Sequence, residues 1–175
     1  MTRLFQLVFL AGVSIAGSPA GSEMEEYRVK ALFLYNFTQF IEWPLESFKD
    51  ATEPLTICVL GSNPFDKELD RALKGKKLDG HPLASRVIGE ASQASGCQVV
   101  FVTGGAAKRA RSLMAESKHS GVLTVGETPG FASAGGVVNF LVKDGRVRLE
   151  INITAAEREQ LRISAKLLKL AEIVK

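Results

Sequence analysis

The sequence predicts an α/β fold of three layers: a mostly parallel sheet with helices on both faces, ending in a β-hairpin and a closing helix. Three observations carry this. Short apolar runs rich in β-branched residues recur at residues 55–60 (LTICVL), 98–102 (QVVFV) and 122–125 (VLTV), as expected of strands buried on both sides. Segments of helical periodicity lie between them, and strands alternating with helices imply a parallel sheet. Further on, Lys143-Asp144-Gly145 separates apolar runs at residues 137–142 and 146–153. Asp-Gly in that position is the strongest short hairpin signal.

Each element has a local reason. Ser22 and Glu25 have capping-box spacing and open a helix over residues 24–41. In it Val29, Leu32, Phe33, Phe37, Phe40 and Ile41 recur at three- and four-residue steps. Leu34 and Tyr35 widen the apolar arc, so more than one side is covered. Trp43-Pro44 ends the helix, because the residue before proline is pushed out of the helical region. After the strand at 55–60, Asn63-Pro64 supplies an N-cap and a first-turn proline for a helix over 65–73. Residues 75–82 read as a turn-rich link with a short strand, and 86–88 as a further strand. Gly104-Gly105 leads into a helix over 106–118. Thr154 with Glu157 is a second capping box, opening a short helix over 155–160. The closing helix spans 164–174, with Leu167, Leu168, Leu170, Ala171 and Val174 as its apolar side and Lys166, Lys169 and Glu172 outward.

The first twenty residues set the compartment. Arg3, an apolar run over residues 4–17 and Ser18-Pro19-Ala20 have the order of a secretory signal peptide cut after Ala20. Fourteen residues fall short of the roughly 20 that a membrane span needs. Cleavage leaves 155 of the 175 residues, residues 21–175, read as one domain with a real core. Removing Arg3 from the 22 basic residues leaves 21 against 19 acidic ones, a net charge of +2. That is too small to argue for nucleic acid, and no basic stripe interleaved with aromatics occurs. His81 and His119 stand far apart without further ligands at metal spacing, so no metal and no cofactor is expected. In an exported protein the even count of cysteines, Cys58 and Cys97, is read first as a disulfide. In a reducing compartment the same two would be buried apolar residues.

Candidate sites are few. Three strand-to-helix joints, Gly61-Ser62-Asn63, Thr103-Gly104-Gly105 and Gly126-Glu127-Thr128, could present backbone N–H groups to an anionic ligand. Gly61, Ser62, Gly104, Gly105, Gly126 and Glu127 are the residues concerned, although neither GxGxxG nor GxxxxGK[ST] is present. No GxSxG elbow occurs and the cysteines are claimed by the bridge, so the chain reads as a non-enzyme. Along residues 146–153, Arg146, Arg148, Glu150 and Asn152 alternate with apolar residues. One face of that strand is therefore polar. It is either a solvated surface or a partner surface made by Arg148, Glu150 and Asn152, with Glu150 as the specificity charge.

Taken together, Tyr27, Lys30, Ala31, Leu34, Tyr35, Asn36 and Phe37, running to Trp43-Pro44, resemble the opening signature of the YfiR-like periplasmic proteins. Residues 126–131 (GETPGF), 135–140 (GGVVNF), 148–152 and 164–174 (SAKLLKLAEIV) resemble later blocks of the same family. The resemblance spans essentially the whole mature chain. It implies a periplasmic repressor that binds the periplasmic part of an inner-membrane sensor, first of all a diguanylate cyclase, and so lowers cyclic-di-GMP signalling and biofilm formation. It further implies that Cys58 and Cys97 form a family disulfide. A second, later bridge known in the family has no counterpart, since no cysteine follows Cys97. A homodimer is left open, and the rival reading is a periplasmic small-molecule binding module that uses the strand-end loops.

Overall fold

A computed structural model describes residues 19–116 and 121–174. The leader read over residues 1–20 lies almost wholly outside them, and so does His119. The order of elements is α1 (Pro19–Phe40), β1 (Ile41–Glu42), β2 (Leu55–Leu60), α2 (Glu68–Leu73), β3 (Lys77–Leu78), β4 (His81–Ile88), β5 (Val99–Val102), α3 (Ala107–Glu116), β6 (Leu123–Gly126), β7 (Val138–Lys143), β8 (Arg146–Asn152), α4 (Ile153–Arg158), β9 (Arg162–Ile163), α5 (Ala165–Leu168) and β10 (Ala171–Val174). Eight strands form one sheet in the order β10-β8-β7-β6-β5-β2-β4-β3, and β1 pairs with β9 in a separate two-stranded sheet. Only the β3–β4 and β7–β8 pairings of the large sheet are antiparallel. All the others are parallel.

Period-two alternation divides the core between the two faces. On one face Ile57, Val59, Phe101, Val125, Phe140 and Ile151 meet Leu34 and Phe37 of α1, Leu69 and Leu73 of α2, and Ala155 of α4. A chain of rings runs through this layer: Tyr27 to Phe65, Phe65 to Phe101, Phe101 to Phe140 and Phe140 to Phe37, with centroids 4.8–6.2 Å apart. On the other face Cys58, Leu60, Val100 and Val102 pack against Ala106, Ala110 and Leu113. The expected disulfide is present there: Cys58 of β2 is joined to Cys97, just before β5, with Cα atoms 5.8 Å apart. The predicted hairpin is also present. Asp144 and Gly145 both take positive φ, as the Asp-Gly turn requires.

Five local expectations are corrected. The helix expected over 65–73 starts at Glu68 behind Lys67, because Asn63 instead accepts from the Phe65 N–H in a preceding turn. The closing helix over 164–174 is one turn, α5, capped by the Ser164 side chain, which accepts from the Leu167 N–H. The chain then extends into β10, which lies parallel to β8. The apolar run fits a helix or a strand, and the unpaired edge of β8 together with β-branched Ile173-Val174 decides for the strand. Ser22 lies inside α1 rather than capping it, because the helix already runs from Pro19. The second short helix starts at Ile153 and is capped by Asn152, not Thr154, because the Asn152 carbonyl oxygen accepts from the Ala155 N–H at 2.8 Å. Finally, α1 stops at Phe40, and Ile41 pairs with Ile163 in the small sheet. Its inward stripe is Tyr27, Lys30, Ala31, Leu34, Phe37 and Thr38, whereas Leu32 is half exposed. Polar residues within the stripe moved the true face away from the purely apolar one.

Phe37 has no exposed surface and touches two other rings. Phe37→Ala should therefore cost about 3–5 kcal/mol, read by denaturant unfolding. Replacing Cys97 by Ser should cost about 3–4 kcal/mol on the loop-closure model, seen as equal melting of the variant and the reduced wild type.

Candidate functional site

The parallel strands carry the three glycine joints to one edge of the sheet, the edge where an open α/β sheet holds ligands. Here the chain fills that edge itself. Thr103 closes the cleft between β2 and β5: its N–H and hydroxyl both donate to the Leu60 carbonyl, at 3.2 and 3.1 Å. Gly61, at φ +111°, lies so close that a Cβ there would sit 2.3 Å from Thr103 Oγ1. The Phe131 ring is wedged between Gly126 and Gly136, where added Cβ atoms would meet it at 2.2 and 2.1 Å. That close approach explains the first glycine of the GETPGF block and the second of the GGVVNF block.

Glu127 is the centre of this edge. Its carboxylate accepts from the Gly104 N–H at 3.0 Å, from Lys30 Nζ at 2.8 Å and from the Tyr27 hydroxyl at 3.2 Å. Gly104 opens the short turn that leads into α3, so a protein carboxylate occupies the position offered to a ligand anion. The Lys30 side chain is 4% exposed and that of Glu127 10%. Lys30 also pairs with Glu26 at 2.5 Å and lies 4.5 Å over the Tyr27 ring. Burial, then the Glu127 charge, hold the Tyr27 phenol well above the ordinary tyrosine range. Ser62 and Gly105 make none of these contacts. Tyr27 and Lys30 share a helix face at i, i+3, and their partner lies 97 to 100 residues away, so local reading finds a motif but no role.

The polar face of the hairpin is a second cluster. Arg148 is exposed and Glu150 half-buried. Glu150 accepts from Asn139 Nδ2 at 2.9 Å, and Asn139 is wholly buried. Asn152 is buried too, spent on the α4 cap and on a hydrogen bond donated to the Ala132 carbonyl at 2.9 Å. It holds backbone and offers nothing outward. Glu172 of β10 stands in register beside Glu150, and Lys143 reaches it at 3.3 Å. No residue of β7, β8 or β10 belongs to the core cluster under α3. On this third of the sheet the polar face is buried at Asn139 and Asn152 but exposed at Lys143, Arg146, Arg148 and Glu172. Among the described residues no group of three or more His, Cys, Asp or Glu is placed to hold a metal, and no helix is long and apolar enough to cross a membrane.

A family model described as YfiR/HmsC-like matches residues 27–172. The chain belongs to this family. Comparison with curated protein sequences gives no match. Among solved structures, an ABC domain from Streptococcus pneumonia in complex with L-Trp is 10% identical with a TM-score of 0.53, over 82% of this chain and 60% of that one. A conserved domain protein from Vibrio cholerae O1 biovar El Tor is 13% identical with a TM-score of 0.50, over 69% of this chain and 55% of that one. The chain thus spans less than two thirds of either structure, and the likeness is one of α/β fold alone. The family match, not the fold likeness, is the finding on which a functional reading rests.

Removing one member of a buried ion pair strands the other. Glu127→Ala should destabilise by about 3 kcal/mol, and the Lys30→Met, Glu127→Met double variant by less than the sum of its single changes, measured by denaturant unfolding. Tyr27 should show in alkali. Because its folded-state pKa is raised, its contribution is complete below the ordinary tyrosine value of about 10 and is lost as pH climbs through the raised value. In an absorbance titration of tyrosinate, the stage that disappears in Tyr27→Phe should coincide with loss of the folded circular-dichroism signal.

Proposed function

We propose that this protein, after export and cleavage near Ala20, is a one-domain regulator (residues 21–175). It binds the periplasmic part of an inner-membrane diguanylate cyclase and holds it inactive. The family match over residues 27–172 carries this reading. The surface proposed for the cyclase is the exposed part of the polar face of β7, β8 and β10, centred on Arg148 and Glu150. Two features support it. The strand-end joints are occupied by Glu127, Thr103 and Phe131, which leaves little room for the alternative of a small ligand. The hairpin face, by contrast, holds charged groups at fixed register on a rigid sheet, an arrangement suited to choosing a partner by charge.

Arg148 is the cleaner probe. Glu150→Lys would leave the buried Asn139 amide without its acceptor, at about 1–3 kcal/mol, and so would mix folding with binding. Arg148→Glu should melt like wild type within about 0.5 kcal/mol. It should lose most of the cyclase in co-purification from membranes and raise cyclic-di-GMP in the cell. Full retention of the cyclase by a normally melting Arg148→Glu protein would move the interface off this face.

A further inference from the structure

The two halves of the disulfide are not equivalent. Cys58 lies in β2, between β4 and β5, with no exposed surface. Cys97 is 3% exposed and ends a surface turn that includes the 3₁₀ segment Ala91–Ala94. The cleft edged by Glu46, Ser92, Ser95 and Gly96 reaches Cys97 and not Cys58. Releasing Cys97 needs only that turn to open, whereas releasing Cys58 needs the sheet to part, and local opening of turns is far cheaper than opening of core strands.

A cation sits on the same sulfur. The parallel register sets Arg86 of β4 directly opposite Cys58. Its Nη2 donates to Cys97 Sγ at 3.3 Å and to the carbonyls of Ser95 and Gln93 at 2.7 and 3.0 Å. One guanidinium therefore ties the turn down and faces the sulfur it carries. An arginine beside a thiol favours the thiolate, the form that attacks disulfides. From this geometry we infer that Cys97 is the reactive sulfur of the pair, with Arg86 as its positioning residue, and that the bridge forms and breaks through a mixed disulfide at Cys97.

The exchange balances with a low-molecular-weight disulfide as oxidant. The Cys97 thiolate attacks one sulfur of the donor, the donor's S–S bond breaks, and the second donor sulfur leaves as a thiolate. The Cys58 thiol gives up its proton and attacks Cys97 Sγ, closing the protein bridge and expelling the first donor sulfur. Two protein thiols are oxidised, one donor disulfide is reduced, and the two protons end on the departing thiolates. Reduction runs the same steps backwards, with the incoming thiolate attacking Cys97 and Cys58 leaving.

The test treats reduced full-length protein briefly with oxidised glutathione, quenches in acid and maps the adduct, with circular dichroism to establish the fold. The adduct should sit on Cys97, and on both cysteines alike in urea. In a Cys58→Ser background the alkylation rate of Cys97 should titrate below the ordinary thiol value of about 8.5. Arg86→Gln should raise that midpoint by about one unit, slowing labelling near pH 7 about tenfold, and Arg86→Lys should restore part of it. A glutathione adduct on Cys58, no adduct on the folded protein, a pH profile unmoved by Arg86→Gln, or loss of the fold on reduction would each overturn the inference. If Cys58→Ser alone fails to fold, the adduct position in reduced wild type decides.

Discussion

Lys30 faces the core of this protein, and the structure is arranged around the carboxylate that meets it. Glu26, one turn away on the same helix, pairs with Lys30 however α1 lies, but at 3% exposure the ammonium is best served where Glu127 receives it as well. That second pairing favours one rotation of α1. Its stripe of Tyr27, Ala31, Leu34 and Phe37 then faces the sheet, and the ring chain to Phe140 follows. It also ties the end of β6 to the start of the turn after β5, because the same carboxylate binds the Gly104 N–H. Replacing such a pair by apolar groups is often neutral in stability, so its value here is as a constraint on register and orientation.

The same constraint relocates function. A parallel sheet ordinarily presents its carboxyl edge to ligands, but here Glu127, Thr103 and Phe131 occupy that edge. Coverage of the sheet is uneven as a result of its topology. α3 and the Ala91–Ala94 turn shield β2, β5 and the end of β4, while the antiparallel hairpin and β10 lie beyond them with a charged face. The proposed regulator, acting by contact, would need a rigid, chemically distinctive patch, and this charged face is the one proposed for it. The disulfide reinforces the shielded half, joining the central strand to the entry of its neighbour.

Much of this was legible in the chain. β2 falls on the apolar run 55–60 residue for residue, and the Asp144-Gly145 turn and the Cys58–Cys97 pairing are as read. The α1 face was misjudged because Lys30 and Thr38 occupy inward positions that hydrophobic periodicity reserves for apolar residues. Glu26 on the same helix and Glu127, distant in sequence, together make Lys30 tolerable there. The last segment was misread because SAKLLKLAEIV satisfies two periods, and the free edge of β8 lies outside any local window. Glu127 was named as a ligand-site residue. In the structure its carboxylate is bound by Lys30, Tyr27 and the Gly104 N–H, contacts no local window of sequence shows. Asn152 sits on the polar side of β8 by alternation, and there its side chain is buried in the α4 cap.

The central claim is that the strand-end edge is structural and the hairpin face is the contact surface. Site-specific photo-crosslinking tests it most directly. A photoreactive amino acid is placed at Arg148 in one protein and at Ser62 in another, each in cells carrying the membrane cyclase. A covalent adduct with the cyclase is expected from position 148 and none from position 62. An adduct from position 62, with none from position 148, would contradict that claim.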